Sequence, residues 1–402
     1  MEEVSLSGRW YVPSEPDTQI NGTLSFSVKD GVKLELSGKF GLAVLGLRDQ
    51  SFDIINGITD RGKWVTLTNC DLYSSTIATG AGAGSTMYRA RFAFVGAAFP
   101  SLDDIKFKEV WVRFTYLDQW ISVQAIQVAL GDDHAVTINY KRPDPISIGT
   151  LAKGNVSIQF TYSTPLGNKY DTATIKQEAH ICIEFHEDQS WNDIIALSGR
   201  IRNFLSLAVW EPAYPVECTG FHPSVVLHIT KDKTEQAPID IYYQPSGQIF
   251  EEKRLSPHDM FFMLGDVLDE MPTLLGNFVQ TEGILKPAYD LYFATMYSPQ
   301  SFVEPRFLSL VQAVEVFCRR TMSNEELPQD EHDARMKVNL TAVPDDYNEW
   351  LGERLKFSNE PTLKVRLRRL LDDTDLLPIT STFIPKVSQF VRRTADTRNY
   401  YT

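Results

Sequence analysis

Leu24-Ser25-Phe26-Ser27-Val28-Lys29-Asp30-Gly31-Val32-Lys33-Leu34-Glu35-Leu36 alternates apolar and polar residues on both sides of a Lys-Asp-Gly turn. A period of two puts Leu24, Phe26 and Val28 on one face of a strand, and Val32, Leu34 and Leu36 on one face of the next. Gly31 supplies the backbone freedom that the reversal needs, so the stretch predicts an antiparallel hairpin. The same signal recurs at Val110–Tyr116 and Ile181–Phe185, and again at Ser224–His228 and Ile239–Tyr243. Many short strands punctuated by Gly, Asp and Asn predict a sandwich or curved antiparallel sheets.

One helix interrupts the strands. Ser190-Trp191-Asn192-Asp193 reads as its start, with Ile194, Ile195, Leu197, Ile201, Phe204 and Leu205 on one broad face. From Pro257 the pattern turns helical. Met260–Leu275 and Ile284–Tyr297 carry helical apolar spacing, and Pro305 opens a helix with Phe307, Leu310, Val311, Val314, Phe317 and Cys318 on one face. Ser323–Asp333 reads as a polar loop, followed by helices near 344–356, 361–371 and 381–393. Short antiparallel helices fit a bundle. The expected fold is therefore α+β in two parts. A β-rich domain spans 1–255, a helical connector 256–300 and an all-α domain 301–402.

Composition narrows the class. The chain has 402 residues, is 43% hydrophobic and 23% charged, and is long enough for two or three domains. No apolar run approaches the roughly 20 residues of a membrane span, and Met-Glu-Glu-Val is the reverse of a basic signal peptide. The four cysteines (Cys70, Cys182, Cys218, Cys318) lack paired zinc spacing and suit a reducing cytoplasm. A net charge of −13 argues against indiscriminate coating of nucleic acid. From residue 300 onward, 15 Lys and Arg stand against 16 Asp and Glu, so nearly all the negative excess precedes it. Lys364, Arg366, Arg368, Arg369, Lys386, Arg392, Arg393 and Arg398 form a local basic cluster. It reads either as a solvated helix face or as a wall that tracks RNA phosphates.

Several other groups read as structural. Thr79-Gly80-Ala81-Gly82-Ala83-Gly84-Ser85-Thr86 lacks the lysine of a phosphate loop and reads as a hairpin tip. Asp330-Glu331-His332-Asp333 has metal-ligand types but reads as a solvated loop. His180 and His186 lack carboxylate or cysteine partners at metal spacing. Arg202-Asn203 is followed by Phe204-Leu205-Ser206-Leu207-Ala208 with no histidine near. No metal or cofactor is expected.

The chemistry concentrates at Arg398-Asn399-Tyr400-Tyr401-Thr402. These residues follow a helical run (Phe383, Ile384, Val387, Phe390, Val391) and a polar break, Arg392–Thr397. They resemble the Arg-Asn-x-x-x-His core of the HEPN ribonuclease signature, with histidine expected next after Thr402 and an amphipathic helix after it. RNA is cut without metal when its 2′-hydroxyl loses a proton, attacks the phosphorus, and the leaving 5′-oxygen is protonated. A histidine titrating near neutral pH suits either transfer. The fork-shaped guanidinium of Arg398 matches the charge gathering on the non-bridging oxygens. Asn399 can hold the imidazole or a phosphate oxygen, and Asp396 reads as the N-cap of a helix opened by Arg398. Glu315, on the Pro305 helix, reads either as a surface acid or as a residue that orients groups in the cleft.

The segment Arg306-Phe307-Leu308-Ser309-Leu310-Val311-Gln312-Ala313-Val314-Glu315, the Lys364–Leu371 helix and Asp396–Thr402 together resemble the HEPN domain of ApeA-like bacterial anti-phage proteins. Leu6-Ser7-Gly8-Arg9-Trp10 and Ser190-Trp191 look similar to that family's β-rich N-terminal domain. The resemblance implies a HEPN bundle, incomplete at its C-terminus here, and metal-independent RNA cleavage by a homodimer with a composite cleft. It also implies abortive infection in a bacterial cytoplasm, with the N-terminal domain sensing a phage-derived trigger. Arg398 and Asn399 map onto the motif, with Asp396 and Glu315 in support. Lys364, Arg368, Arg392 and Arg393 are the candidate RNA contacts. The alternative is a non-catalytic sensor or binding protein that uses the helical domain only to dimerise.

Overall fold

The computed structural model describes residues 1–40, 51–76, 84–131, 135–164, 172–230, 233–245, 252–298 and 302–401. Residues 79–83 of the Gly-rich stretch and Thr402 lie outside these. The chain forms two compact units, Met1–Val279 and Gln280–Thr402.

The first unit is built on antiparallel strands. They are β1 (Val4–Tyr11), β2 (Ile20–Ser27), β3 (Gly31–Leu36), β4 (Phe52–Thr59), β5 (Trp64–Thr76), β6 (Ser85–Ala90), β7 (Phe92–Val95) and β8 (Lys106–Phe114). After α1 (Leu117–Ile121) come β9 (Ile126–Leu130), β10 (Val136–Tyr140), β11 (Ile146–Leu151), β12 (Gly154–Ser163) and β13 (Lys176–Ser190). Then follow α2 (Trp191–Val209), β14 (Pro215–Thr230) and β15 (Lys233–Tyr243). Among the described residues, thirteen strands form one sheet in the order β11-β12-β13-β8-β14-β15-β7-β5-β4-β1-β2-β3-β6. A second pairing of β6 with β5 closes β5, β4, β1, β2, β3 and β6 into a six-stranded barrel. Strands β9 and β10 pair only with each other.

Period-two patterning fills two cores. The expected hairpin is β2–β3: Leu24 opposes Leu34, Phe26 opposes Val32, and Gly31 takes φ +75°. Its inward residues join Trp10, Val65, Leu67 and Tyr88 inside the barrel. The open part of the sheet packs against α2, whose Ile194, Ile201, Phe204 and Leu205 meet Phe107, Val110, Val112 and Ile181 in a second cluster. Ser190 caps α2 as expected, its Oγ accepting from the Asp193 amide at 3.3 Å. Strand β7 serves both cores: Phe92 and Phe94 face the α2 side, Ala93 and Val95 the barrel side.

Several helix boundaries differ from expectation. Met260–Leu275 is not one helix. It contains a 3₁₀ turn at Leu264–Asp266, preceded by another at Pro257–Asp259, and α3 (Met271–Tyr297) then runs through Gly283 and Pro287. Asp259 and Asp266 accept from the amides of Ser256 and Met263, local bonds that compete with helical ones.

After α4 (Val303–Thr321), the Ser323–Asp333 loop ends early because α5 (Gln329–Thr341) takes in Asp330–Asp333. Acidic residues behind Pro328 suit a positive helix N-terminus. Then come α6 (Asn348–Leu355) and α7 (Leu363–Leu371), which Thr362 caps. The segment expected near 381–393 is split at Pro385 into α8 (Leu377–Phe383) and α9 (Val387–Tyr401), since proline lacks the N–H an unbroken helix requires.

In this second unit α4, α7 and α9 pack together, with Leu367, Leu371 and Val391 central and Val314, Leu363, Ile384 and Val387 around them.

Candidate active site

Helix α9 decides where the terminal motif stands. Arg392–Thr397 does not break it: this run contains neither Gly nor Pro, and Val391 and Ala395, one turn apart, are buried on one stripe. Arg398 follows three residues after Ala395, at the edge of that stripe. It therefore lies in the last turn of α9 and does not open a helix. Asp396 sits inside the helix and is not an N-cap. Its carboxylate instead takes a bond from Lys364 Nζ on α7.

The Arg398 side chain is one-third exposed and held on two sides. Its Nη2 lies 3.4 Å from Glu315 Oε2, and its Nη1 lies 3.3 Å from Asn399 Oδ1. Glu315 is 83 positions away on α4, with only 16% of its side chain exposed. The choice left open for this acid is resolved structurally: it faces Arg398.

A set of groups that sequence reasoning missed surrounds this pair. Arg319 lies one turn beyond Glu315 and reaches its Oε1 at 3.3 Å, while Arg319 Nη1 reaches Glu360 Oε2 at 3.6 Å. The i,i+4 spacing of Glu315 and Arg319 was the available signal. Arg366, counted in the basic cluster, is buried at 2% exposure. Its Nε donates to Pro361 O at 3.0 Å and its Nη1 to Asn324 Oδ1 at 2.7 Å. Burial lowers its proton affinity, and the neighbouring Arg319 cation lowers it further. Glu315 and Glu360 act in the opposite direction, so the buried guanidinium has compensating anions. No sequence signal separates Arg366 from the exposed bases beside it.

The remaining candidates are scattered around this centre. Arg368, Arg392 and Arg393 are exposed. Arg392 and Arg393 precede Arg398 by six and five residues, turned from its face by about 120–140° at 3.6 residues per turn. Arg369 is tied to Ser323 O and Glu325 O. His332, the sole histidine in the sequence from 280 to 402, lies on α5 with Nε2 2.8 Å from Ser358 Oγ.

In the first unit, Arg202 donates to Asn203 Oδ1 at 3.0 Å within α2, a local contact for the second Arg-Asn pair. His180 is buried with Nε2 3.3 Å from Glu217 Oε2. Among the described residues, no three His, Cys, Asp or Glu side chains cluster as metal ligands, and no helix is long and apolar enough to cross a membrane.

Two family models match the chain. ApeA N-terminal domain 1 covers residues 5–278 and Apea-like HEPN covers 308–402, which contains Glu315, Arg319, Glu360, Arg366, Arg398 and Asn399. No curated protein and no solved structure matches it.

Proposed function

The chain belongs to the ApeA family of anti-phage effectors, with its HEPN domain at 308–402, and on that premise we propose that it is a metal-independent endoribonuclease acting in abortive infection. The observation that carries this reading is Arg398 and Asn399 side by side on α9, with the Arg398 guanidinium steered by the half-buried carboxylate of Glu315. A steered, permanently charged fork is the group that an anionic phosphorane requires. In this reading the RNA 2′-hydroxyl attacks the adjacent phosphorus and the 5′-oxygen leaves. Arg398 bears the developing charge, Asn399 orients the reacting groups, and the signature's histidine, next after Tyr400-Tyr401-Thr402, moves the protons.

One motif offers few groups for gripping phosphate while moving two protons, and a two-fold axis doubles them. We therefore assign the HEPN unit to a homodimer with a composite cleft. Residues 1–255 are assigned to sensing a phage-derived trigger in the bacterial cytoplasm, and 256–300 to the connector.

The test is RNA cleavage by the protein expressed from its natural gene, compared with Arg398→Ala. The variant should lose about 10²–10³ in rate while staying folded, and chelator should leave the wild type active. Equal rates for the two proteins, or a wild type silenced by chelator, would refute the mechanism. His332 is engaged with Ser358 away from the motif spacing, which favours the second reading, a non-catalytic sensor whose helical unit only dimerises. An intact RNA substrate after prolonged incubation with triggered protein would select it.

A further inference from the structure

One carboxylate lies between two guanidinium groups. Glu315 Oε2 accepts from Arg398 Nη2 at 3.4 Å, and Glu315 Oε1 accepts from Arg319 Nη2 at 3.3 Å. The two oxygens belong to one small planar group, so both cations are drawn to within a single carboxylate's span of each other. Side-by-side guanidiniums repel unless anions compensate them. Arg319, Arg366 and Arg398 carry three positive charges here, while Glu315 and Glu360 carry two negative ones. One positive charge is left in excess, the charge that a single phosphodiester would balance.

Exposure gives the direction of approach. Glu315 is 16% exposed, against 33% for Arg398 and 48% for Arg319. The acid therefore forms the floor, and solvent reaches both cations from the side away from it. Two forks spaced by a carboxylate present paired N–H donors, and the non-bridging oxygens of a phosphodiester accept such pairs in a bidentate manner. Arg366, sealed beneath Glu315 and Arg319 by its bonds to Pro361 O and Asn324 Oδ1, fixes α7 to the stretch that follows α4.

We propose that Arg319 is a second phosphate-binding residue of the HEPN site, paired with Arg398 by Glu315 to grip one RNA phosphodiester. This rests on the ribonuclease reading of Arg398. Glu360 holds Arg319 from its far end at 3.6 Å, so it is a positioning residue that competes with RNA for the same guanidinium.

The test is binding of a 2′-O-methyl oligoribonucleotide, which cannot be cut, to the full protein across a salt series. Cleavage of the unmodified RNA is measured in parallel. Arg319→Ala should bind roughly tenfold more weakly, the worth of a charge-assisted hydrogen bond. Its log–log salt slope should be shallower by about 0.7, one single-strand phosphate contact. Arg319→Lys, which keeps the charge and guards against a folding defect, should retain the slope while losing part of the affinity. Glu360→Gln should bind more tightly than wild type. An unchanged salt slope in Arg319→Ala, with cleavage still dependent on Arg398, would overturn the Arg319 assignment alone. Cleavage indifferent to Arg398→Ala would overturn the ribonuclease reading itself. A wild type that does not bind the oligonucleotide would overturn both.

Discussion

Lys364 Nζ lies 2.8 Å from Asp396 Oδ1, tying α7 to α9 through two residues that sequence reading had given separate tasks. Both are about half exposed, so the pair sits in a high-dielectric setting where its net worth is small. Asp396→Asn should therefore cost less than about 1 kcal/mol in urea denaturation, whereas loss of an N-cap would cost about 1–2 kcal/mol. Freed of its counter-charge, Lys364 should also make RNA binding slightly tighter and more salt-sensitive. A stability loss in the N-cap range would show that Asp396 caps a helix in solution.

Arg366 provides the contrasting case of a cation that water cannot rescue. Arg366→Met fills the same space but strands the Pro361 carbonyl and the Asn324 amide oxygen without their donor. We expect the helical unit to lose about 1–3 kcal/mol for the unsatisfied acceptors. A variant as stable as wild type would mean that these acceptors find water.

At Gly57 a Cβ would fall 2.4 Å from Trp10 Cε3, against a ring with no exposure inside the barrel. Gly57→Ala should destabilise the first unit by about 1–3 kcal/mol through overpacking. Trp10→Phe in the same background should recover part of that loss, since a smaller ring leaves room. Failure of this rescue would place the strain elsewhere.

Burial pushes the thiols of Cys70 and Cys218 well above the ordinary value of 9.0, as it does that of Cys182, where a bond to Glu109 adds to the effect. All four cysteines are free and buried. A thiol reagent at pH 8 should find the native protein unreactive and titrate four groups only after denaturant is added. The same shift sets an alkaline limit. Above about pH 9 the unfolded chain releases thiol protons that the folded chain retains, so the folded state binds more protons and stability falls as pH rises. Cys70→Ala should flatten that alkaline slope in thermal melts between pH 8 and 10, and an unchanged slope would point to other groups.

Much of the first unit was legible because burial on one side of a strand imposes a period of two. The β2–β3 hairpin and the Ser190 cap came from such local rules. Closure of β6 onto β5 did not, since it depends on pairing between strands whose sequences carry no mark of each other. The α9 helix was misread at Arg392–Thr397 because only Ala395 faces inward there, and a lone small residue gives no apolar period. Pro287 misled in the opposite direction: α3 continues through it. At the site, Arg398 and Asn399 were recognisable from a motif and Glu315 from its helix. The identity of the buried base among Lys364, Arg366, Arg368 and Arg369 was set by tertiary packing, which the string of like charges conceals.

Strand β7 has only four residues, yet every one is buried, because Phe92 and Phe94 belong to one core while Ala93 and Val95 belong to the other. It is a party wall. Neither room can be emptied while the other stays furnished, so the barrel and the α2 layer should melt in one calorimetric step. The amides of β7 should exchange with deuterium only when the entire unit opens. A load applied to the barrel rim would reach α2 through two aromatic rings, with no hinge between to absorb it.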